Sequence, residues 1–417
     1  MESSAPVFTE ITVSGYYTLL IACIVLLFGR QLVRRIRFLR DFNIPEPVAG
    51  GLVAAIIIYI LYASSAYIFH FNKGLKDAFM LIFFTSIGLS ADVARLKAGG
   101  KPLVYFTIIV GVFIIVQDAI GLGLATMMGQ NPLIGLVAGS ITMTGGHGTA
   151  GGWGPQLEEI GLVGATGLGM ACATYGLVAG GLIGGPTARR LINKMGRKPV
   201  ETADSIASDD LDKPEEIFER PERMRLITAS SAVDTLAMFA ACLVFAEIMD
   251  KYDAAHFKGT ILDLPKFVWA LGGGVILRNI LTIGFKFNMF DRAIDVFGNA
   301  SLSIFLAIAL LDLKLWELTG LALPVTVILL TQTVVMFLYA TYVTYAFMGR
   351  DYDAAVLAAG HCGFGLGATP TAVANMQSVT ERFGASHKAF LIVPMVGAFF
   401  VDWINSAVLQ TFVYFFK

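Results

Sequence analysis

Two stretches of this chain suit neither a regular helix nor a solvated loop. TMTGGHGTAGGWG, Thr142 to Gly154, and GHCGFGLGATPTA, Gly360 to Ala372, are crowded with glycine, yet both lie deep inside long apolar sequence. Glycine weakens a helix interior by about 1 kcal/mol relative to alanine. Irregular backbone at bilayer depth persists only where protein buries it or it lines a watery cavity. The two stretches are therefore expected to be the tips of re-entrant hairpins that meet around one site. The apolar setting extends over the whole chain: 56% of the residues are hydrophobic, 15% are charged, and the mean hydropathy is +0.71. That balance belongs to a polytopic membrane protein, whose unit is the spanning helix of roughly 20 residues.

Loop charge orients the spans. Ile11 to Phe28 is the first, followed by Arg30, Arg34, Arg35, Arg37 and Arg40, a basic collar that places the N-terminus outside. The first ten residues hold no lysine or arginine, so a cleaved signal peptide is not expected. PEP at Pro45 to Pro47 precedes a second span to about Phe69, Ala78 to Leu89 is a short third, and Arg95, Lys97 and Lys101 form the next inner loop. Leu103 to Met127 is the fourth span. The following apolar run, Leu133 to Met143, covers roughly 17 Å as a helix, too little for a core of roughly 30 Å, so it turns back. Gly161 to Gly185 is the fifth span and ends on Arg189, Arg190 and Lys194.

Hydrophobicity then collapses over 186–225, which reads as a charged cytoplasmic linker. Beyond it the same order returns: spans at Ile227–Met249, Phe267–Ile283, Val296–Leu311 and Leu321–Met348, a short apolar run into the second glycine stretch, and a last span at Ala389–Phe416. The expected fold is all-α, an inverted-topology repeat of five transmembrane helices plus one re-entrant hairpin in each half, ten spans in total. The halves are 1–185, with its hairpin at about 131–157, and 226–417, with its hairpin at about 354–380. A shift of about 221 residues brings FFTSIGL at Phe83 onto IFLAIAL at Ile304, and Gly146 and Gly176 onto Gly367 and Gly397.

Several functions are excluded or weakened. A net charge of -1 gives no basic face for nucleic acid. GHGTAG at Gly146 satisfies G-x-G-x-x-G but lacks the strand and βαβ context of a dinucleotide site, and no P-loop, HExxH or G-x-S-x-G occurs. Cys23, Cys172, Cys242 and Cys362, far apart in apolar segments, read as small buried hydrophobes. Glycines four apart in GLVAGGLIGG, Gly176 to Gly185, read as a helix-packing face.

The tips suit an anion. Each half-helix that starts there offers unsatisfied N–H groups and a positive dipole end, and glycine admits a carboxylate close to the backbone. The candidate substrate groups are Gly145, Gly146, His147, Gly148, Thr149, Gly365, Gly367, Ala368, Thr369 and Thr371. Candidates for a cation with hard oxygen ligands are Thr142, Thr144, Gln117, Asp118, Asn299, Ser301, Ser303, Asn375 and Asp402. His147 and His361 lack neighbours at metal-ligand spacing and fit hydrogen bonding at the tips instead. Asp118 and Asp402, acids within spans, are functional candidates by cost alone. A position for Asp118 at the outer boundary, facing water, is the bland alternative.

IPEPVAGG at Ile44, GSITMTGGHGTA at Gly139, MACATYGLVAGGLIGGP at Met170, LKLWELTGLALP at Leu313, YDAAVLAAGHCGFGLGATPTAVANMQSVTERFG at Tyr352 and FLIVPMVGAFFVD at Phe390 resemble the bacterial sodium/glutamate symporters, members of the glutamate:sodium symporter family. The resemblance covers both halves and fails mainly in the linker and the termini. It implies a secondary transporter of the bacterial inner membrane that takes up L-glutamate with Na⁺ as coupling ion, without an organic cofactor. A homodimer and an elevator-type alternating-access mechanism are also implied. A sodium-coupled carrier of another dicarboxylate, or an anion channel, is the alternative. One departure stands out: Asp118 occupies the position after Gln117 where the family pattern has asparagine.

Overall fold

The computed structural model describes residues 9–41, 44–65, 67–93, 99–196, 227–260, 262–287, 289–318 and 320–417. The first eight residues, the basic pair Arg95 and Lys97, and most of the charged linker lie outside them. The chain is mostly helical, and nine helices among the described residues are long and apolar enough to cross a membrane.

We number the helices α1 (Gly15–Arg35), α2 (Glu46–Ser65), α3 (Lys73–Ser90) and α4 (Gly100–Met127). Next come α5 (Pro132–Leu136), α6 (Gly146–Glu159) and α7 (Ala165–Lys194). The second half holds α8 (Ala229–His256), α9 (Lys266–Asn279), α10 (Asp291–Leu311) and α11 (Ala322–Tyr339). It closes with α12 (Tyr352–Leu366), α13 (Thr369–Phe383), α14 (His387–Met395) and α15 (Val401–Phe416). Helix α3 is not among the nine, because Lys73, Lys76 and Asp77 crowd its first turn.

The structure departs from these expectations in three places. Thr9–Thr12, whose last two residues were expected to open the first span, is a strand paired in parallel with Tyr67–His70, where the second span was expected to run to about Phe69. Their β-branched and aromatic residues favour an extended form over a helix end, so an all-α class needs this two-stranded amendment. The fifth span does not stop at Pro186 but runs through it to Lys194, so the first residues of the expected linker are helical.

The helices pack as two groups, joined by a few contacts. One gathers α1, α2, α3, α8, α9 and α10; the other gathers α4, both hairpins, α7, α11, α14 and α15. Glycine permits the close approaches in each. In the first group a methyl at Gly50 would come within 3.0 Å of the Gly29 nitrogen, and one at Gly88 within 3.0 Å of the Gly274 Cα. Arg278, 2% exposed, ties together the ends of three helices of this group, donating to Asp92 at 3.1 Å, to the Leu89 carbonyl at 3.3 Å, and to Asp291. In the second group α7 lies on the second hairpin along its glycine face: a methyl at Gly180 would meet the Gly363 carbonyl at 3.0 Å. The Asn375 side-chain amide donates to the Gly180 carbonyl at 2.9 Å. The packing role expected for Gly176 to Gly185 is thus observed. Cys172, Cys242 and Cys362 are buried free thiols, and Cys23 is half-buried.

Candidate functional site

The two glycine stretches each break a helix, by different means. In the first, α5 passes into a π turn, Val137–Ile141, in which Gly139 leaves helical geometry (φ -100°, ψ -132°). Turn residues 142–145 follow, and the chain re-enters a helix at Gly146, whose φ of +64° is a left-handed value that favours glycine. In the second, α12 stays helical to Leu366, Gly367 (φ -133°, ψ -99°) breaks it, and Ala368 is extended before α13 starts at Thr369. The breaks face each other: a Cβ on Gly146 would lie 3.2 Å from the Gly367 carbonyl oxygen. Neither α6 nor α13 has a side-chain cap at its N-terminus. Two uncapped helix starts therefore converge, each with orphan N–H donors and a positive dipole end.

They converge on a cavity of about 590 Å³ between the two helix groups, within the range of small-molecule sites. One wall is the hairpins, from Thr144 to Thr149 and Gly367 to Pro370, with Leu177, Phe364, Gly397 and Asp402. The facing wall comes from α3 and α10, with Phe83, Phe84, Ser86, Asn299, Leu302 and Ser303. At one end the cavity reaches Pro45 to Pro47, Ser90 and Asp295. Among the described lining residues there is no lysine and no arginine.

Of the substrate candidates, Gly145, Gly146, His147, Gly148, Thr149, Gly367, Ala368 and Thr369 line the cavity. Gly365 and Thr371 do not. The Gly365 carbonyl is turned to α4, where it accepts from the Gln117 amide at 3.0 Å, and Thr371, in the first turn of α13, is buried away from the cavity. His147 reaches the Thr174 hydroxyl of α7 at 3.1 Å. His361 lies away from the tip, bonded to Thr344 at 2.8 Å and ringed by Phe106, Phe113, Tyr339 and Phe364.

The cation candidates divide likewise. Thr144, Asn299, Ser303 and Asp402 line the cavity. Thr142 donates back to the Val137 carbonyl at 2.7 Å, Asn375 serves α7, and Ser301 is buried on α10. Gln117 sits behind the tips: its side-chain oxygen accepts from Thr144 at 2.7 Å, and the Thr144 hydroxyl is 3.3 Å from the Gly365 carbonyl. Three oxygens from α4 and both hairpins thus meet at one point. Asp118 is 0% exposed, which removes the water-facing alternative, and it bonds to Ser140 at the first hairpin's break.

The facing wall escaped the sequence reading in part. Asn299 and Ser303 are polar within a span and were visible for that reason. Phe83, Phe84 and Leu302 carry no such signal, since apolar residues on a spanning helix look alike whether they meet lipid, core or cavity. Gly397 had one: it is the position matched to Gly176 by the shift of about 221 residues.

Comparison with known proteins points in one direction. The model of a family described as Sodium/glutamate symporter matches residues 11–385. A sodium/glutamate symporter of Haemophilus influenzae is 53% identical over 402 residues, covering 96% of this chain and 97% of the relative. One of Escherichia coli is 51% identical over 396 residues, covering 95% and 96% respectively. A sodium proton antiporter structure from Methanocaldococcus jannaschii aligns over 96% of this chain and 97% of its own, at 11% identity and a TM-score of 0.37, too low to carry any conclusion.

Proposed function

The chain belongs to the sodium/glutamate symporter family, and from that membership we propose how its two hairpins perform the transport. It is a multi-pass protein of the bacterial inner membrane, a transporter and not an enzyme, and it takes up glutamate coupled to Na⁺ without an organic cofactor. The observation that carries the site reading is the meeting of two uncapped helix starts, at Gly146 and Thr369, on one cavity. Glutamate presents two carboxylates, and each start supplies N–H donors with no Cβ in the way at Gly146, Gly148 or Gly367. Na⁺ takes the oxygens of Thr144, Gln117 and Gly365, which join α4 to both hairpins. A cation there draws the tips together and completes the carboxylate site, so the ion favours substrate binding and the substrate favours the ion.

The finer architecture is part of this proposal. Helices α6, α12 and α13, of 14 to 15 residues, are roughly 21–22 Å long, short of a bilayer core, which supports re-entrant hairpins. With α3 as a tenth span, the chain forms two inverted halves joined by the charged linker, which begins after the end of α7 at Lys194. The hairpin group is the part that moves and the other group is the frame, an elevator, in a homodimer. The basic collar after α1 favours a cytoplasmic position for Pro45 to Pro47, which makes the end of the cavity that they line its cytoplasmic end.

Glutamate of charge -1 moving with one Na⁺ is electroneutral, and each further Na⁺ adds about 2.3 kcal/mol per 100 mV of membrane potential. Uptake of labelled glutamate by the purified chain in liposomes tests the coupling. An inward Na⁺ gradient is expected to drive accumulation above equilibrium. Equal uptake with K⁺ in place of external Na⁺ would overturn the coupling, and failure to accumulate uphill would favour a channel.

A further inference from the structure

We infer that Asp402 reads the ammonium group of the substrate, and so makes the cavity select an amino dicarboxylate over a plain dicarboxylate of the same length. This rests on the cavity being the glutamate site. Glutamate carries two negative groups and one positive one. The lining offers the negative groups two helix starts, and no lysine or arginine competes for them among the described residues. The positive group needs an anion, and among the described residues three acids line the cavity: Glu46, Asp295 and Asp402.

Two of these are poorly placed. Glu46 is engaged by Arg30 at 3.0 Å, and its side chain is 40% exposed. Asp295 stands at the cavity's end beside Ser90, at 3.5 Å, in the frame group rather than between the tips. Asp402 alone shares the hairpin wall and meets the Thr149 hydroxyl in the first turn of α6. The backbone aims it there. A π turn, Val396–Phe400, separates α14 from α15, and Asp402 lies in the turn of α15 directly after it. Such insertions re-aim the residues that follow them and cluster at functional sites. In the same turn, a methyl at Gly397 would come within 2.7 Å of the Thr369 hydroxyl, so the bend brings α15 against the second tip as well.

A dicarboxylate without the ammonium leaves the Asp402 carboxylate facing two more negative charges, with no cation to offset them in a partly desolvated cavity. A site built around such a polar contact rejects the analogue lacking it by orders of magnitude more than a missing methylene would allow. The structure thus assigns to Asp402 the distinction between glutamate and glutarate, which differ only by the amino group.

The test is competition in liposomes holding the full chain, with labelled glutamate, unlabelled glutarate and a Na⁺ titration. Wild-type uptake is expected to be insensitive to glutarate at roughly 100-fold excess. Asp402→Asn is expected to raise the half-saturating glutamate concentration by at least about 10-fold and to make glutarate an effective competitor, with half-saturating Na⁺ unchanged. Asp402→Glu, which keeps the charge, retains the discrimination. If Asp402→Asn does not transport, thermal stabilisation of the purified variant by each ligand gives the same ratio. A wild-type ratio in Asp402→Asn, or a shift confined to Na⁺, would overturn the assignment. Wild-type protein in the same vesicles separates the two readings, since its failure to take up glutamate with Na⁺ would remove the site reading itself.

Discussion

Ser140 meets Asp118 twice, its backbone N–H donating to one carboxyl oxygen at 2.8 Å and its hydroxyl lying 2.8 Å from the other. The same hydroxyl is 2.6 Å from the Asn405 side-chain oxygen, and the Asn405 amide donates back to the Ser140 carbonyl at 3.1 Å. Ser140 directly follows Gly139, where the first hairpin leaves helical geometry. Asp118 of α4 and Asn405 of α15 therefore clasp the break from both sides. All of these groups are buried, so removing one leaves the others unsatisfied.

Asp118→Ala is accordingly expected to destabilise the hairpin by about 1–3 kcal/mol and to cut uptake by at least about tenfold. Asp118→Asn keeps an acceptor for the Ser140 N–H and adds a donor for its hydroxyl. It is expected to retain uptake within a few-fold of wild type. Melting temperature and initial uptake rates of the two variants check this, and equal loss in both would contradict the clasp.

Thr144→Val removes a hydroxyl that joins Gln117 to the Gly365 carbonyl while keeping the side chain's volume. The half-saturating Na⁺ concentration is expected to rise by about tenfold, with the glutamate optimum recovered at high Na⁺. Initial rates over a Na⁺ series measure it. An unchanged Na⁺ dependence would place the ion elsewhere.

Arg278 is expected to matter for stability alone. Arg278→Met removes the guanidinium from both Asp92 and Asp291, and losing one partner of a buried charge network typically costs about 3–5 kcal/mol. The detergent-solubilised variant should melt well below wild type. Its glutamate affinity, measured at a temperature where it remains folded, should not change, since Arg278 does not line the cavity.

Much of the site was legible because of one conflict: glycine in a run too apolar to be outside the membrane. That conflict located both tips and the hydroxyls beside them. It did not locate the breaks closely, because Gly363 and Gly365 continue α12 as helix while Gly139, with no glycine neighbour, leaves it. The cost of an intramembrane acid marked Asp118 and Asp402 alike, yet one clasps a buried serine and the other faces the cavity. Cost alone does not say which way a side chain points. Whether α15 turns Asp402 inward depends on the π turn at Val396–Phe400, an insertion that a 3.6-residue period does not register. The β pairing of Thr9–Thr12 with Tyr67–His70 joins segments far apart in sequence, and a residue preference for extended backbone does not name the partner strand.

The joint ownership of the site by both hairpins is tested most directly by equilibrium glutamate binding to purified protein, with and without Na⁺, for wild type, Gly146→Ala and Gly367→Ala. Alanine at Gly146 forces a left-handed φ and sets a Cβ 3.2 Å from the Gly367 carbonyl; alanine at Gly367 sets one 2.9 Å from the Gly363 carbonyl. Each is expected to weaken Na⁺-dependent binding by at least about tenfold while the protein still inserts and remains monodisperse. Wild-type affinity in either variant would contradict a site built from the two tips together.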